Sequence, residues 1–264
     1  MPKNIFTSEE FIKFLDALYK KACDGISVIG DKFQIPSVEQ LAADYLVKYS
    51  DTQKAAKAMM RNQIAKCTTS GFITGLGGVI VLPVAIPANV GSVLYVQMQM
   101  IACAAYMGGY DIESDQVRTV TYACLAGVSF TELMKKFGID FGKKIAIEAI
   151  KKIPIETLRA INKKLGFLFI TKFGKTGFIN LGKMVPVVGA VVNGGFDLFE
   201  TRAISKAAYK IFIENDFSVG EKYEDIIDVD YVEVEADTNV KTEQSMIDDE
   251  KERVLDPDLS CDND

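Results

Sequence analysis

The sequence predicts an all-α fold: a compact multi-helix domain over residues 1–215 with a glycine-rich apolar helical hairpin, and a disordered acidic tail over residues 216–264. Three observations lead to this prediction. Helix-capping motifs precede apolar residues at helical spacing, and an uncharged run of 44 residues occupies positions 67–110. Residues 1–215 carry a net charge of +8, whereas residues 216–264 carry −14. Blocks of one sign are typical of solvated or interaction tails, so we expect the tail to add nothing to the fold.

The first three helices are predicted from their N-terminal caps. Thr7 and Glu10 have the spacing of a capping box, and so do Ser37 and Gln40. Asp51 is placed to cap a third helix. Apolar residues at helical spacing follow each cap, which predicts that each of these helices buries one face.

The uncharged run predicts the apolar hairpin. Pro83 and Pro87 interrupt the run, leaving 16 residues before them and 23 after them. A helix needs about 20 apolar residues to cross a bilayer, so a kinked hairpin fits better than two transmembrane helices. The hairpin could be re-entrant, interfacial or buried in protein. Gly71 and Gly75, one helical turn apart, predict close helix packing.

Basic amphipathic helices are predicted to follow. A helix capped by Ser114 is expected to run as far as Leu133, Pro154 to lie in the first turn of another helix, and a final helix to span residues 198–213. Residues 131–183 hold 12 basic and 4 acidic side chains. This imbalance makes the lysine pairs candidates for binding anionic lipid or phosphate; the alternative is a solvated face neutralised by the acidic tail. The candidates are Lys135, Lys136, Lys143, Lys144, Lys151 and Lys152.

Polar residues within apolar segments form a second set of candidates. Asn89, Ser92 and Gln99 fall on one helical face, which could line a polar cavity or form hydrogen bonds between core helices. Gln97 lies off this face and is expected to pair with another helix.

Asp197 follows the second glycine-rich apolar run. An acidic group in such a position is costly unless it is paired or solvated. The candidate partners are Arg61 and Lys66, and the alternative is that Asp197 caps the final helix.

The composition excludes several catalytic classes. The chain has no histidine, which rules out Ser-His-Asp triads, Cys-His dyads and HExxH zinc sites. The five cysteines form no CxxC motif and favour a reducing compartment. Neither a phosphate-binding loop nor a paired-carboxylate site is recognisable, and no signal peptide precedes the first charges. We therefore expect a non-enzymatic protein without catalytic residues, metal or cofactor.

Several motifs resemble the signature of the EcsC family over roughly residues 40–215. They are KCTTSGF at 66–72, GLGG at 75–78, LPVAIPAN at 82–89, YMGGYD at 106–111, NLGK at 180–183 and VPVVG at 185–189. The resemblance implies a bacterial protein near a membrane, because the family's namesake is encoded beside an ABC transporter and some EcsC-like proteins occur in antiphage operons. The basic helices make an anionic membrane the main expected partner. Further candidate partners are other copies of the chain and a membrane protein or nucleotidyltransferase-type enzyme from the same operon. Nucleic acid is a less favoured partner.

Three functional hypotheses follow. The leading one is a membrane-associated protein of the EcsC type, at the cytoplasmic face of the membrane or inserted in it. Its hairpin docks on or enters the bilayer while its basic helices face anionic groups. The first alternative is an oligomeric, pore-forming effector of antiphage defence, gated by a partner or by a nucleotide or oligonucleotide ligand. The second alternative is a soluble helical protein.

Overall fold

Most of the chain that the computed structural model describes, namely residues 7–27, 34–68, 88–141, 147–173 and 195–220, is helical. This confirms the all-α prediction. In chain order the helices are α1 (Ser8–Asp24), α2 (Val38–Lys48), α3 (Thr52–Thr68), α4 (Ala88–Met107), α5 (Asp115–Ala126), α6 (Phe130–Lys135), α7 (Ile147–Lys151), α8 (Ile155–Phe173) and α9 (Gly195–Phe212). Between α1 and α2, the short strands β1 (Ile26–Ser27) and β2 (Gln34–Ile35) pair antiparallel, with Ile26 opposite Ile35.

The predicted caps are present at the first three helices. The Thr7 hydroxyl accepts from the Glu10 amide at 3.2 Å, and the Glu10 carboxylate accepts from the Thr7 amide at 2.9 Å. Ser37 and Gln40 form the same reciprocal pair at the start of α2. Asp51 accepts from the Gln53 amide at 2.7 Å. These bonds satisfy amide donors that a helix N-terminus otherwise leaves without partners.

Some helix ends differ from the prediction. The helix capped by Ser114 ends at Ala126 rather than near Leu133, because Gly127 adopts a left-handed conformation with φ of 79° and Ser129 caps a new helix. Pro154 lies directly before α8, where its carbonyl accepts from the Leu158 amide at 3.1 Å. The final helix, α9, begins at Gly195 and not at residue 198.

Helix α4 is the centre of the fold. It packs against α1, α2, α3, α5 and α9. By length and composition, its residues Val90–Met107 form a candidate membrane span, but 89% of that window is buried inside the protein. The described arm of the predicted hairpin is therefore a core helix. The other arm lies outside the described residues from position 69 onwards, including Gly71 and Gly75.

The chain continues to pack against the domain after α9. Phe217 is fully buried, and its carbonyl accepts from the Thr131 amide at 3.3 Å. The ring contacts Tyr110, Phe130 and Phe212 at centroid distances of 6.3, 6.1 and 6.4 Å. The expected boundary after residue 215 thus falls within packed chain, because an isolated aromatic residue gives no periodic signal. The chain divides into units 1–228 and 229–264, and every described residue belongs to the first.

Candidate anion-binding groove

A groove of about 610 Å³ lies between α3 and α9. Its walls carry five cationic side chains, and apolar or aromatic groups complete its lining. The lining residues are Tyr49, Lys54, Lys57, Met60, Arg61, Ile64, Arg202, Ser205, Lys206 and Tyr209. Of the five cations, only Arg61 is among the residues that the sequence singled out.

Helical spacing brings the cations to one side of each helix. On α3, Lys54, Lys57 and Arg61 are separated by three and four residues, so they follow one face. On α9, Arg202 and Lys206 are four residues apart. All five side chains are exposed. Because α3 packs directly against α9, the two basic faces meet along the groove.

Aromatic groups hold part of the groove wall in place. The Lys57 ammonium lies over the Tyr209 ring, 5.0 Å from its centroid, which joins the two helices by a cation–π contact. Tyr49 stacks on Tyr45 with centroids 6.3 Å apart, and Lys48 lies 5.8 Å above the Tyr49 ring. The buried side chain of Met60 adds an apolar element to the lining.

The groove cations are not neutralised by the described part of the chain. Among the described residues, no carboxylate forms an ion pair with any of the five cations, and no acidic residue lines the groove. Helix α3 contains no acidic residue at all. Positive charge is therefore concentrated along the described walls of the groove, as expected of a site that attracts an anion.

The lysine pairs predicted to bind anions have a different environment. Lys135 pairs with Glu132 and Lys151 with Glu148, each at 2.8 Å. These neighbours, three residues away on the same helix, raise the pKa of both lysines by hydrogen bonding and charge attraction. Lys136 and Lys152 are exposed, whereas Lys143 and Lys144 lie outside the described residues.

The glutamines of α4 form hydrogen bonds between core elements. Gln97 donates to the Thr201 hydroxyl of α9 at 2.9 Å. Gln99 accepts from the Gln63 amide of α3 at 3.0 Å and donates to the Pro36 carbonyl at 2.8 Å. Buried polar groups need such partners, so these two side chains serve packing in the interior. They do not line the groove.

The remaining polar candidates are dispersed. Ser92 is buried on α4, and Asn89 lies at the start of that helix. Asp197 is the third residue of α9, so it lies within the first turn and not before it. Lys66 is half-buried, and desolvation lowers the pKa of its ammonium group. Among the members of this set whose side chains the structure describes, Arg61 alone lines the groove.

The buried thiols offer no reactive group. Burial raises the pKa of Cys23, Cys103 and Cys124 to about 12, which keeps these thiols protonated at neutral pH. Within the described ranges, no group of three or more cysteines, aspartates and glutamates is arranged to hold a metal ion.

Sequence reasoning missed four of the five groove cations. The spacing of Lys54, Lys57 and Arg61 is a local signal that could have been found. Arg202 and Lys206 give a weaker signal, because their relation to α3 depends on tertiary packing across more than a hundred residues.

Comparison with known families is consistent with the motifs in the sequence. The model of a family described as the EcsC protein family matches residues 6–213. This match includes α1 and every residue that lines the groove. No curated protein and no solved structure matches the chain.

Proposed function

The chain belongs to the EcsC protein family, and we propose that it is a non-enzymatic, membrane-associated member that docks on anionic bilayers through the basic groove. The observation that carries this proposal is the set of five cations without carboxylate partners among the described residues. Each Lys or Arg near an anionic surface contributes about 1 kcal/mol to binding. Five such groups are enough for reversible association.

An apolar anchor lies next to the groove. Val47, near the end of α2, is 88% exposed, and the groove residue Tyr49 follows two positions later. The stacked rings of Tyr45 and Tyr49 add an aromatic pair to the same turn. Aromatic side chains favour the boundary between headgroups and acyl chains, so this turn is suited to face the bilayer together with the cations.

The burial of α4 favours docking over insertion. This helix has the length and composition of a membrane span, but its window is 89% buried by other helices of the same domain. Moving it into lipid would expose the core that it now fills. A pore built from α4 would need that rearrangement, whereas docking needs no change in the described fold.

The proposal is tested by co-sedimentation of the full chain with phosphatidylcholine vesicles, with and without phosphatidylglycerol. We expect binding only to the anionic vesicles, and release as the salt concentration rises, because screening weakens exposed charge attraction. A carbonate wash should also release the protein.

Two triple variants localise the contact. The first is Lys57→Gln, Arg61→Gln and Lys206→Gln in the groove; the matched control is Lys135→Gln, Lys136→Gln and Lys152→Gln. Both remove three positive charges, but only the groove variant should lose most of the binding. An equal loss in both variants would mean that overall charge, and not the groove, directs the protein to membranes. No binding by the unaltered chain would favour the soluble hypothesis.

A further inference from the structure

The shape of the basic groove indicates a more selective site than bilayer docking requires. Diffuse attraction to a membrane needs only a basic surface, whereas here the cations line an open concavity of about 610 Å³. Sites for small molecules typically enclose about 300–1,000 Å³, so the groove has room for one compact ligand.

The number of cations indicates the charge of that ligand. Five cations around one groove repel one another, and among the described residues no carboxylate is paired with them. A phosphodiester supplies a single negative charge, whereas each phosphomonoester supplies about 1.5 to 2 at neutral pH. Two or more phosphomonoesters therefore match the groove better than a simple anionic lipid does.

The kinds of cation are also informative. Arg61 and Arg202 come from opposite walls, and each guanidinium can donate two parallel hydrogen bonds to one phosphate. The three lysines add positive charges around them, with the Lys57 ammonium held over the Tyr209 ring. We therefore expect each arginine to bind one phosphate group of the ligand.

The non-charged lining indicates what connects the phosphates. Tyr209 is held by the Lys57 contact, and Met60 and Ile64 add apolar surface. If one face of a ring is less polar than the other, that face can pack against such a surface. The phosphates attached to the ring can then reach the cations. This arrangement resembles the mixture of apolar walls and a few placed polar groups found in small-molecule sites.

We infer that the groove between α3 and α9 binds a ring-containing ligand with two or more phosphomonoester groups, either as a lipid headgroup or as a free molecule. The inference rests on the proposed docking role of the same groove and makes its ligand specific. Arg61 and Arg202 hold the phosphates, and Lys54, Lys57 and Lys206 neutralise their remaining charge.

Calorimetric titration of the full chain tests the inference with a free headgroup. The probe is inositol 1,4,5-trisphosphate, and inositol 1-phosphate is the control with one phosphate. We expect the trisphosphate to bind at least about tenfold more tightly, since the second and third phosphates add charge-assisted hydrogen bonds. Equal affinity for the two probes, or no binding of the trisphosphate, would overturn the inference.

Vesicles distinguish the two sources of the ligand. Phosphatidylinositol 4,5-bisphosphate vesicles are compared with phosphatidylglycerol vesicles of equal surface charge. Preference for the bisphosphate lipid supports a headgroup ligand. Binding of the free trisphosphate without any vesicle binding supports a soluble ligand and contradicts the docking proposal alone. Equal binding to both vesicles, with no binding of the free trisphosphate, overturns the inference and leaves docking intact.

Substitutions connect the binding to the arginines. Arg61→Gln with Arg202→Gln should weaken trisphosphate binding by about tenfold or more, whereas Arg61→Lys with Arg202→Lys should restore part of it, because charge returns without the paired donors. Both arginines are exposed, so the variants are expected to fold, and circular dichroism checks this. Unchanged affinity in a folded glutamine variant would exclude the groove as the site.

Discussion

Phe217 is fully buried beyond the last helix, so we expect it to contribute strongly to the stability of the domain. Replacing it with alanine removes a ring that contacts Tyr110, Phe130 and Phe212. A buried Phe→Ala substitution typically costs about 3–5 kcal/mol, because apolar contacts are lost and a cavity remains. For a domain of this size, we expect the midpoint of thermal unfolding to fall by about 6–20 °C.

Urea denaturation followed by circular dichroism measures the loss in the free energy of unfolding. Phe167→Ala is the matched control, because it makes the same chemical change at a side chain that is 42% exposed. The control should cost less than about 1.5 kcal/mol, since less apolar surface leaves water there on folding. If Phe217→Ala cost no more than the control, the segment after α9 would not be part of the core.

The buried polar and thiol groups and the acidic segment after α9 also have measurable effects on stability and binding. Gln99→Leu should lower the free energy of unfolding by about 1–3 kcal/mol in urea denaturation, because the Gln63 amide loses its acceptor in the core; an unchanged midpoint would contradict this. Truncation after Gly220 removes 17 acidic and 4 basic residues, so the shortened protein should sediment with more phosphatidylglycerol vesicles at low salt; equal or weaker binding would refute a purely electrostatic contribution of this segment. In the folded protein, burial raises the thiol pKa of Cys23 and Cys103 to about 12 from a usual value of 9.0. As the pH rises, these thiols therefore lose their protons at a lower pH in the unfolded chain than in the folded one. The free energy of unfolding measured in urea should therefore be retained below about pH 9 and decline as the pH rises towards 12. A free energy of unfolding that increases over this range would contradict the burial of these two thiols.

The features predicted correctly from the sequence were mostly local. Capping boxes at Thr7 and Ser37 involve residues three positions apart, so the pattern contains the whole interaction. The end of α5 was predicted too late because apolar spacing continues past Gly127. A glycine followed by a second capping serine, Ser129, was the better indicator of a helix boundary.

The groove could not be predicted to the same extent, because it depends on which helices meet. The basic face of α3 is visible in its spacing, but nothing local shows that Arg202 and Lys206 lie opposite it. A run of lysines is also an ambiguous signal. Lys135 and Lys151 stand out by composition, yet each pairs with a glutamate of its own helix, which reduces its attraction for another anion.

Helix α4 illustrates why composition alone does not distinguish a membrane span from a core helix. Both exclude charge, and both bury most of their side chains. The difference lies in the polar groups: Gln97 and Gln99 bond to Thr201, Gln63 and Pro36 of the same domain. Transfer of α4 into lipid would break these bonds, and each buried group left without a partner costs about 1–3 kcal/mol. Docking through the exposed groove would therefore cost less free energy than inserting α4. The groove cations would break no described ion pair on meeting an anionic surface.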